Sequence, residues 1–338
     1  MRPVQPSDPS VSTLPRLTRR QGLATALGMA LTPWPVRADS PLPRHIRIVV
    51  PFAPGAGTDA MGRLVAEKLS VVLGVPVVVD NKTGASGAIG SRLVASSPAD
   101  GSTLLLAAAP FTTVAATLPT AGYDPLKDFA PVAMLASGPL LWVTHPQSQA
   151  RNLAEWIQEA QRRPGHFNYG SAGAGGVNHL VLEMLKARTG TYITHIPYRG
   201  IAPATLDLMG QQLHLMTGTI PALAPYIRDG RLRALAVTSQ KRSAVLPDVP
   251  SMAECGLKDF EVLNFFGLMA PRGTPTATVS ALHAAVQQVL SLPDVNERFT
   301  RDALNANPAS SEQWRQFLAD DLRGWQQVVR QRHLSIDG

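Results

Sequence analysis

Residues 46–69 read IRIVVPFAPGAGTDAMGRLVAEKL. A β-branched run, Ile46, Ile48, Val49 and Val50, ends in a turn broken by Pro51, Pro54, Gly55 and Gly57. Met61, Leu64, Val65, Lys68 and Leu69 follow at helical spacing, so the pattern predicts strand, glycine turn and helix. Unpaired backbone N–H groups converge where such a helix begins, which makes the turn a place for something negative. Two guests fit, a dinucleotide and a small carboxylate, and they imply different proteins.

The dinucleotide reading has specific support. Gly55-Ala56-Gly57-Thr58-Asp59-Ala60 satisfies G-x-G-x-x-G/A in the strand-to-helix context that such a turn requires. A second apolar run, Val75–Val79, then ends in Asp80, where a ribose-binding acid belongs. Pro51 and Pro54 count against it, because they lengthen and stiffen a turn that should be tight. A plain connection between strand and helix fits the same residues. The stretch alone leaves the choice open.

The rest of the chain narrows the field. Its 338 residues suffice for two domains with substantial cores. The formal charge of +7 is concentrated at the start, where residues 1–38 hold five arginines and one acid, Asp8. The remainder carries 26 basic and 23 acidic residues, with no basic patch interleaved with aromatics, so nucleic acid is not an expected partner. Cys255 is the only cysteine, which excludes intramolecular disulfides and cysteine-rich zinc sites.

Residues 1–38 read as a signal peptide. LTRRQGLATALGMALTPWPVRADS has a basic start, an apolar stretch from Leu23 to Leu31 and a small-residue site, Val36-Arg37-Ala38, before Asp39. Thr18-Arg19-Arg20-Gln21-Gly22-Leu23 resembles a twin-arginine signal, with Gly22 where phenylalanine is usual; the general secretory route stays open. The apolar run is too short to span a bilayer, and no lipobox cysteine precedes the cut. A periplasmic protein, cleaved after Ala38, is expected.

From His45 onward, short β-branched runs alternate with helical periods. Strands are expected at 46–52, 75–80, 103–108, 132–135, 140–144, 167–171, 192–195, 213–217, 232–238 and 262–270, with helices between, such as 153–163 and 177–188. This is α/β order with mostly parallel sheets. Thr274-Pro275 reads as an N-cap and first helical residue, and Ser310-x-x-Gln313 as a capping box. Trp314, Phe317, Leu318, Leu322, Trp325 and Val329 form one helical stripe that belongs to a core. Val132–Thr144 and Phe260–Pro271 are long enough to cross between two domains.

Catalytic and metal-binding patterns fail on inspection. There is no H-E-x-x-H, and His179, His195 and His214 stand singly, so no metal or cofactor is expected. Gly170-Ser171-Ala172-Gly173 invites a hydrolase reading, but a nucleophile elbow needs glycine where Tyr169 stands. Gly84–Ser91 has Ile89 and Gly90 where a phosphate loop wants Gly and Lys. Four small-residue loops remain, PFAPGAGTD, NKTGASGAIG, NYGSAGAGGVNH and HIPYRG, each between a strand and a helix. They offer backbone donors and helix dipoles without a paired acid and base, which describes binding rather than catalysis.

Read in order, IVVPFAPGAGTD, VVVDNKTGASGAIG, DGSTLLLAA, YDPLKDFAPVAML, RPGHFNYGSAGAG, HIPYRGIAPATLDLMGQQ, LRALAVTSQKRSAVLPDVPSMAECG and FFGLMAPRGTP resemble the extracytoplasmic solute receptors of tripartite tricarboxylate transporters, the Bug receptors. The resemblance covers nearly the whole mature chain. It implies a two-domain periplasmic binding protein of α/β class (type II), closing on its ligand like a flytrap, with domain 1 at 44–138 plus 264–338 and domain 2 at 139–263. It decides the opening question for a carboxylate, held by the first loop partly through ordered water, and makes Asp80 a fixture of the fold.

Carried over, the family's ligand contacts fall on Phe52, Pro54, Gly55, Gly57, Thr58 and Asp59, then on Ser86, Gly87, Ala109 and Pro110. From domain 2 they fall on Ser171, Ala172, Gly173, Tyr198 and Gly200, with Thr217 and Gly218 at the last position. Ala56 replaces a usual glycine and narrows the first loop. Thr217-Gly218 replaces the Phe-Asp of many members; an acid there can pair with a ligand ammonium, so its absence tilts the ligand toward plain or aromatic carboxylates. Gly57 is expected either where the backbone meets the ligand or at positive φ. The expected protein is a monomeric, non-enzymatic receptor for a small organic acid, serving membrane permease subunits or acting as an orphan sensor. The alternative is an exported NAD(P)- or FAD-dependent oxidoreductase built on Gly55–Asp80.

Overall fold

The structure, a computed structural model, describes residues 42–334 except 56, 119 and 333. The expected signal peptide with its expected cut after Ala38, and the Ala56 departure, lie outside the described residues. Strand β1 (Ile46–Val50), helix α1 (Gly57–Leu73), β2 (Val77–Asn81), α2 (Ala88–Ala95), β3 (Thr103–Ala108) and α3 (Pro110–Thr117) come first. A long strand, β4 (Phe129–Thr144), leads into α4 (Leu153–Arg162), β5 (Asn168–Ser171), α5 (Val177–Thr189), β6 (Thr194–Pro197), α6 (Ile201–Met209), β7 (Leu215–Thr219), α7 (Ile220–Arg228) and β8 (Arg233–Val237). Strand β9 (Leu263–Pro271) returns, followed by α8 (Thr276–Leu290), α9 (Pro293–Arg301), β10 (Asn305–Ala306) and α10 (Ser311–Arg332).

The strand order is β2-β1-β3-β9-β4-β7-β5-β6, with β8 and β10 also pairing β4. β1, β2 and β3 are mutually parallel, as are β5, β6 and β7. The expectation of mostly parallel sheets is corrected at the centre, where β9 runs antiparallel to β3 and β4, and β4 antiparallel to β7 and β8. The reason is connectivity. One strand carries the chain out of the first sheet and the other brings it back, so the two run in opposite directions.

β3 is buried on both faces, which is why it reads as an unbroken apolar run. Ile46, Ile48, Val50 and Leu104 face one layer, with Met61, Val65 and Leu69 of α1 and Val286 of α8. Val49 and Leu105 face the other, with Trp314, Leu318 and Trp325 of α10. Trp314 is fully buried, edge-on to Phe265 at 5.4 Å, as expected of the stripe.

Two local readings are corrected. Val132–Leu135 and Leu140–Thr144 are one strand, because Gly138 and Pro139 pair with Asn264 and Leu263 instead of turning. Gly138 is needed there, since a Cβ would lie 2.3 Å from the Ala303 carbonyl oxygen. Pro275 has ψ 138, so the helix after it starts at Thr276, and Thr274 Oγ1 donates to the Pro271 carbonyl rather than capping.

The capping box before α10 forms in both directions. Gln313 N donates to Ser310 Oγ at 3.2 Å, and Ser310 N donates to Gln313 Oε1 at 2.9 Å. Ser310→Ala should lower stability by about 1 kcal/mol, read as a shifted denaturant midpoint; an unmoved midpoint would mean that the box adds nothing.

Candidate functional site

Strand direction places the loops. β1, β2 and β3 run the same way as β4 and point at the second sheet, whereas β7, β5 and β6 run against β4 and point back. The two sets of carboxyl-terminal strand ends therefore face each other across the stretch of β4 between the sheets. Ala108 registers with Phe266 and so with Ala136, and Thr219 registers with Leu140. The two sets are four steps apart along β4, from Ala136 to Leu140, about 13 Å at strand rise. A crevice outside the carboxyl ends of parallel strands is where α/β folds bind ligands.

The first loop is held in shape by Asp59, which is nearly fully buried. Asp59 Oδ2 accepts from Gly55 N and Arg63 Nε, both at 2.9 Å, and Oδ1 accepts from Asn81 Nδ2 at 2.9 Å. Asn81 Nδ2 also donates to the Phe52 carbonyl at 3.0 Å, tying the loop to the end of β2. The Arg63 guanidinium, then the Gly55 and Asn81 amides, hold the Asp59 carboxyl down to about 2, against the burial that would raise it. Gly55 takes φ +82. Gly57 does not have positive φ, which corrects that half of its expectation; it opens α1, and a Cβ there would meet nothing within 4 Å. The first N–H groups of α1, Gly57 and Thr58 among them, have no carbonyl one turn earlier to bond.

The first three loops pack on one another. Gly87 has φ +99, and a Cβ there would sit 3.4 Å from Phe52 Cζ. Ser86 has left-handed φ of 51, and Ser91 Oγ donates to the Gly87 carbonyl. Phe52, Ser86 and Gly87 line one small cleft with Ala108 and Phe111, next to Ala109 and Pro110. Pro54 is exposed beside them in sequence.

In the second lobe several expected contacts point inward. Ser171 is fully buried; its Oγ accepts from Gly173 N at 3.1 Å and shares a 2.6 Å hydrogen bond with His195 Nε2. Thr217 is fully buried, sharing a 2.6 Å bond with Tyr169 OH and accepting from Asn178 Nδ2 at 3.1 Å. Tyr198 OH donates to Asp207 Oδ2 at 2.6 Å. A Cβ on Gly218 would press on Leu223 Cδ1 at 2.9 Å, within the lobe's core. Ala172 is exposed, Gly173 has φ +140, and Gly200 has φ +112 with open space around its Cβ position.

Sequence reading passed over a second support. His179 and His195 stack at 3.9 Å, nearly parallel. His179 Nδ1 accepts from Gly175 N at 3.1 Å, so each ring holds one point of the 171–176 loop, His195 acting through Ser171. His179 Nε2 faces Glu183 at 3.9 Å, and Glu183 pairs with Lys186 at 2.7 Å. Burial, then His179 and Lys186, pushes His195 down to about 3. Sixteen residues of separation gave no sign that the two rings meet. Asp80, the residue that mimicked a ribose-binding acid, lies 3.5 Å from Arg47 and 3.1 Å from Lys82.

Residues 61–334 match the model of the tripartite tricarboxylate transporter family receptor. Protein BugT of Bordetella pertussis is 39% identical over 299 residues, covering 88% of this chain and 92% of BugT. Among solved structures, an R. palustris protein with adipate superposes with a TM-score of 0.78 at 32% identity, covering 90% of this chain and 99% of that one. MatC from Rhodopseudomonas palustris with bound malate gives a TM-score of 0.75 at 31% identity, covering 88% and 100%.

Proposed function

The chain belongs to the tripartite tricarboxylate transporter receptor family, and from that membership and the facing loops we infer how it works as a solute receptor for a small carboxylate. The family is one of periplasmic receptors, and relatives have been solved with adipate and malate. The dinucleotide reading is thereby set aside. The observation that carries the mechanism is the opposition of two sets of strand ends across the short stretch of β4 from Ala136 to Leu140. Main-chain donors at the start of α1, with the Thr58 hydroxyl, take the carboxylate. Phe52, Pro54, Ser86, Gly87, Ala109 and Pro110 line the first lobe's side, and Ala172, Gly173 and Gly200 the other. Asp59, Ser171, Tyr198, Thr217 and Gly218 act by fixing their loops.

The lobes divide at 44–138 plus 264–338 and 139–263. Support comes from the pairing of Gly138 with Asn264 and Pro139 with Leu263, which puts both boundaries on one rung of the crossing strands. Bending at that rung closes the lobes on the ligand. The protein delivers its ligand to membrane permease subunits without transforming it. An imidazole as weakly basic as His195 activates the Ser171 hydroxyl poorly, which supports binding without turnover.

Calorimetry with malate, adipate and aromatic acids should give at least one specific heat of binding, and the recovered ligand should be chemically unchanged. Conversion of a bound ligand by pure protein would refute the receptor-only reading. N-terminal sequencing of the exported protein should begin at Asp39; an intact Met1 would refute the cut.

A further inference from the structure

A cavity of about 140 Å³ lies on the stretch of β4 and β9 between the two sets of loops. Gly57, at the loop assigned to the carboxylate, is one of its lining residues. Met61 and Leu64 of α1, Phe266 of β9 and Phe299 of α9 wall it from the first lobe. Ile220 and Pro221 of α7 wall it from the second, and Pro139 of β4 also lines it. We infer that the ligand is an aromatic or branched-aliphatic carboxylate, whose hydrocarbon body fills this cavity while its carboxylate meets the start of α1. This rests on the carboxylate-receptor reading above.

The polar groups on the lining argue the same way. Arg298 and Asp302 pair with each other at 2.8 Å, so their charges answer one another and not a guest. Thr219 and Asn264 are the other polar side chains on the lining, and both register with β4 residues beside Pro139, away from the wall formed by Met61 and Phe299. A hydroxylated or tricarboxylic body would set polar atoms against Met61, Phe266 and Phe299, losing water without gaining partners. The space is about the size of an apolar cavity that takes up benzene. The α1 surface supplies Gly57 and Met61 one helical turn apart, so a single compact molecule reaches both the amides and the hydrocarbon wall.

The test uses benzoate and malate as probes on the mature chain, wild type and with Ala60→Phe, by calorimetry beside thermal melting. Ala60 also lines the cavity and is half-buried, one helical turn before Leu64 on α1. Wild-type protein should bind benzoate at least about tenfold more tightly than malate. Ala60→Phe should weaken benzoate at least about tenfold with malate little changed. Leu64→Trp fills the same space from the next turn and replaces Ala60→Phe if that variant melts early. Malate bound more tightly than benzoate, or both probes weakened equally by filling, would overturn the inference and leave the receptor reading standing. Binding of neither probe, nor of any acid in the wider screen, would overturn both.

Discussion

Gly57→Val protein is expected to fold normally and to lose its ligand. Gly57 is the first residue of α1, without positive φ, and a Cβ there meets nothing within 4 Å, so the fold tolerates a side chain. The space it would enter is where a carboxylate approaches the first N–H groups of the helix. Displacing the carboxylate forfeits hydrogen bonds to a charged group at about 1.5–3 kcal/mol each. Two such bonds come to about 3 kcal/mol or more, a fall in affinity of roughly a hundredfold. Thr58→Val should cost less, since it removes one hydroxyl and leaves the amides. Affinity and thermal midpoint are measured together. Unchanged affinity in folded Gly57→Val protein would place the carboxylate elsewhere.

What could be read from sequence follows how local each cause is. β3 was legible to the residue because burial on both faces forces an apolar run with no polar interruption. β4 was read as two strands because Gly138-Pro139 has the chemistry of a turn. Only the partner strand β9 and the Ala303 carbonyl keep it extended, and both lie more than a hundred residues away. β10 has two residues and exists through its pairing with Ser137 and Ala136, so no pattern announces it.

The site divides along the same line. Glycine-rich loops at strand ends were visible, since their composition is the cause of their shape. Which side chains turn toward the crevice was not. Ser171, Thr217 and Tyr198 read as ligand contacts by type and position, and nothing local shows that each also bonds a partner 9 to 48 residues away. Asp59 could have been recognised, because an acid in the first turn of a helix commonly reaches back to the amides before it.

Asp59 is also where the second large effect is expected, on stability and affinity together. Asp59→Ala removes the acceptor of Gly55 N, Arg63 Nε and Asn81 Nδ2 at once. Arg63 is exposed and rehydrates, and Asn81 keeps the Phe52 carbonyl, so the cost falls short of three full bonds. About 2–3 kcal/mol of stability should be lost. Ligand affinity should fall as well, because the loop that presents Gly57 and Thr58 loses its anchor and must be ordered by the ligand itself. The folded carboxyl titrates at about 2, below its ordinary 3.8. Its contribution is therefore complete above the ordinary value and disappears as the pH falls toward 2. Wild-type and Asp59→Ala proteins should differ most at neutral pH and converge in acid, in denaturant melts run at pH 7, 5 and 3. A difference that stays constant across that range would show that the variant acts through something other than the charge of Asp59.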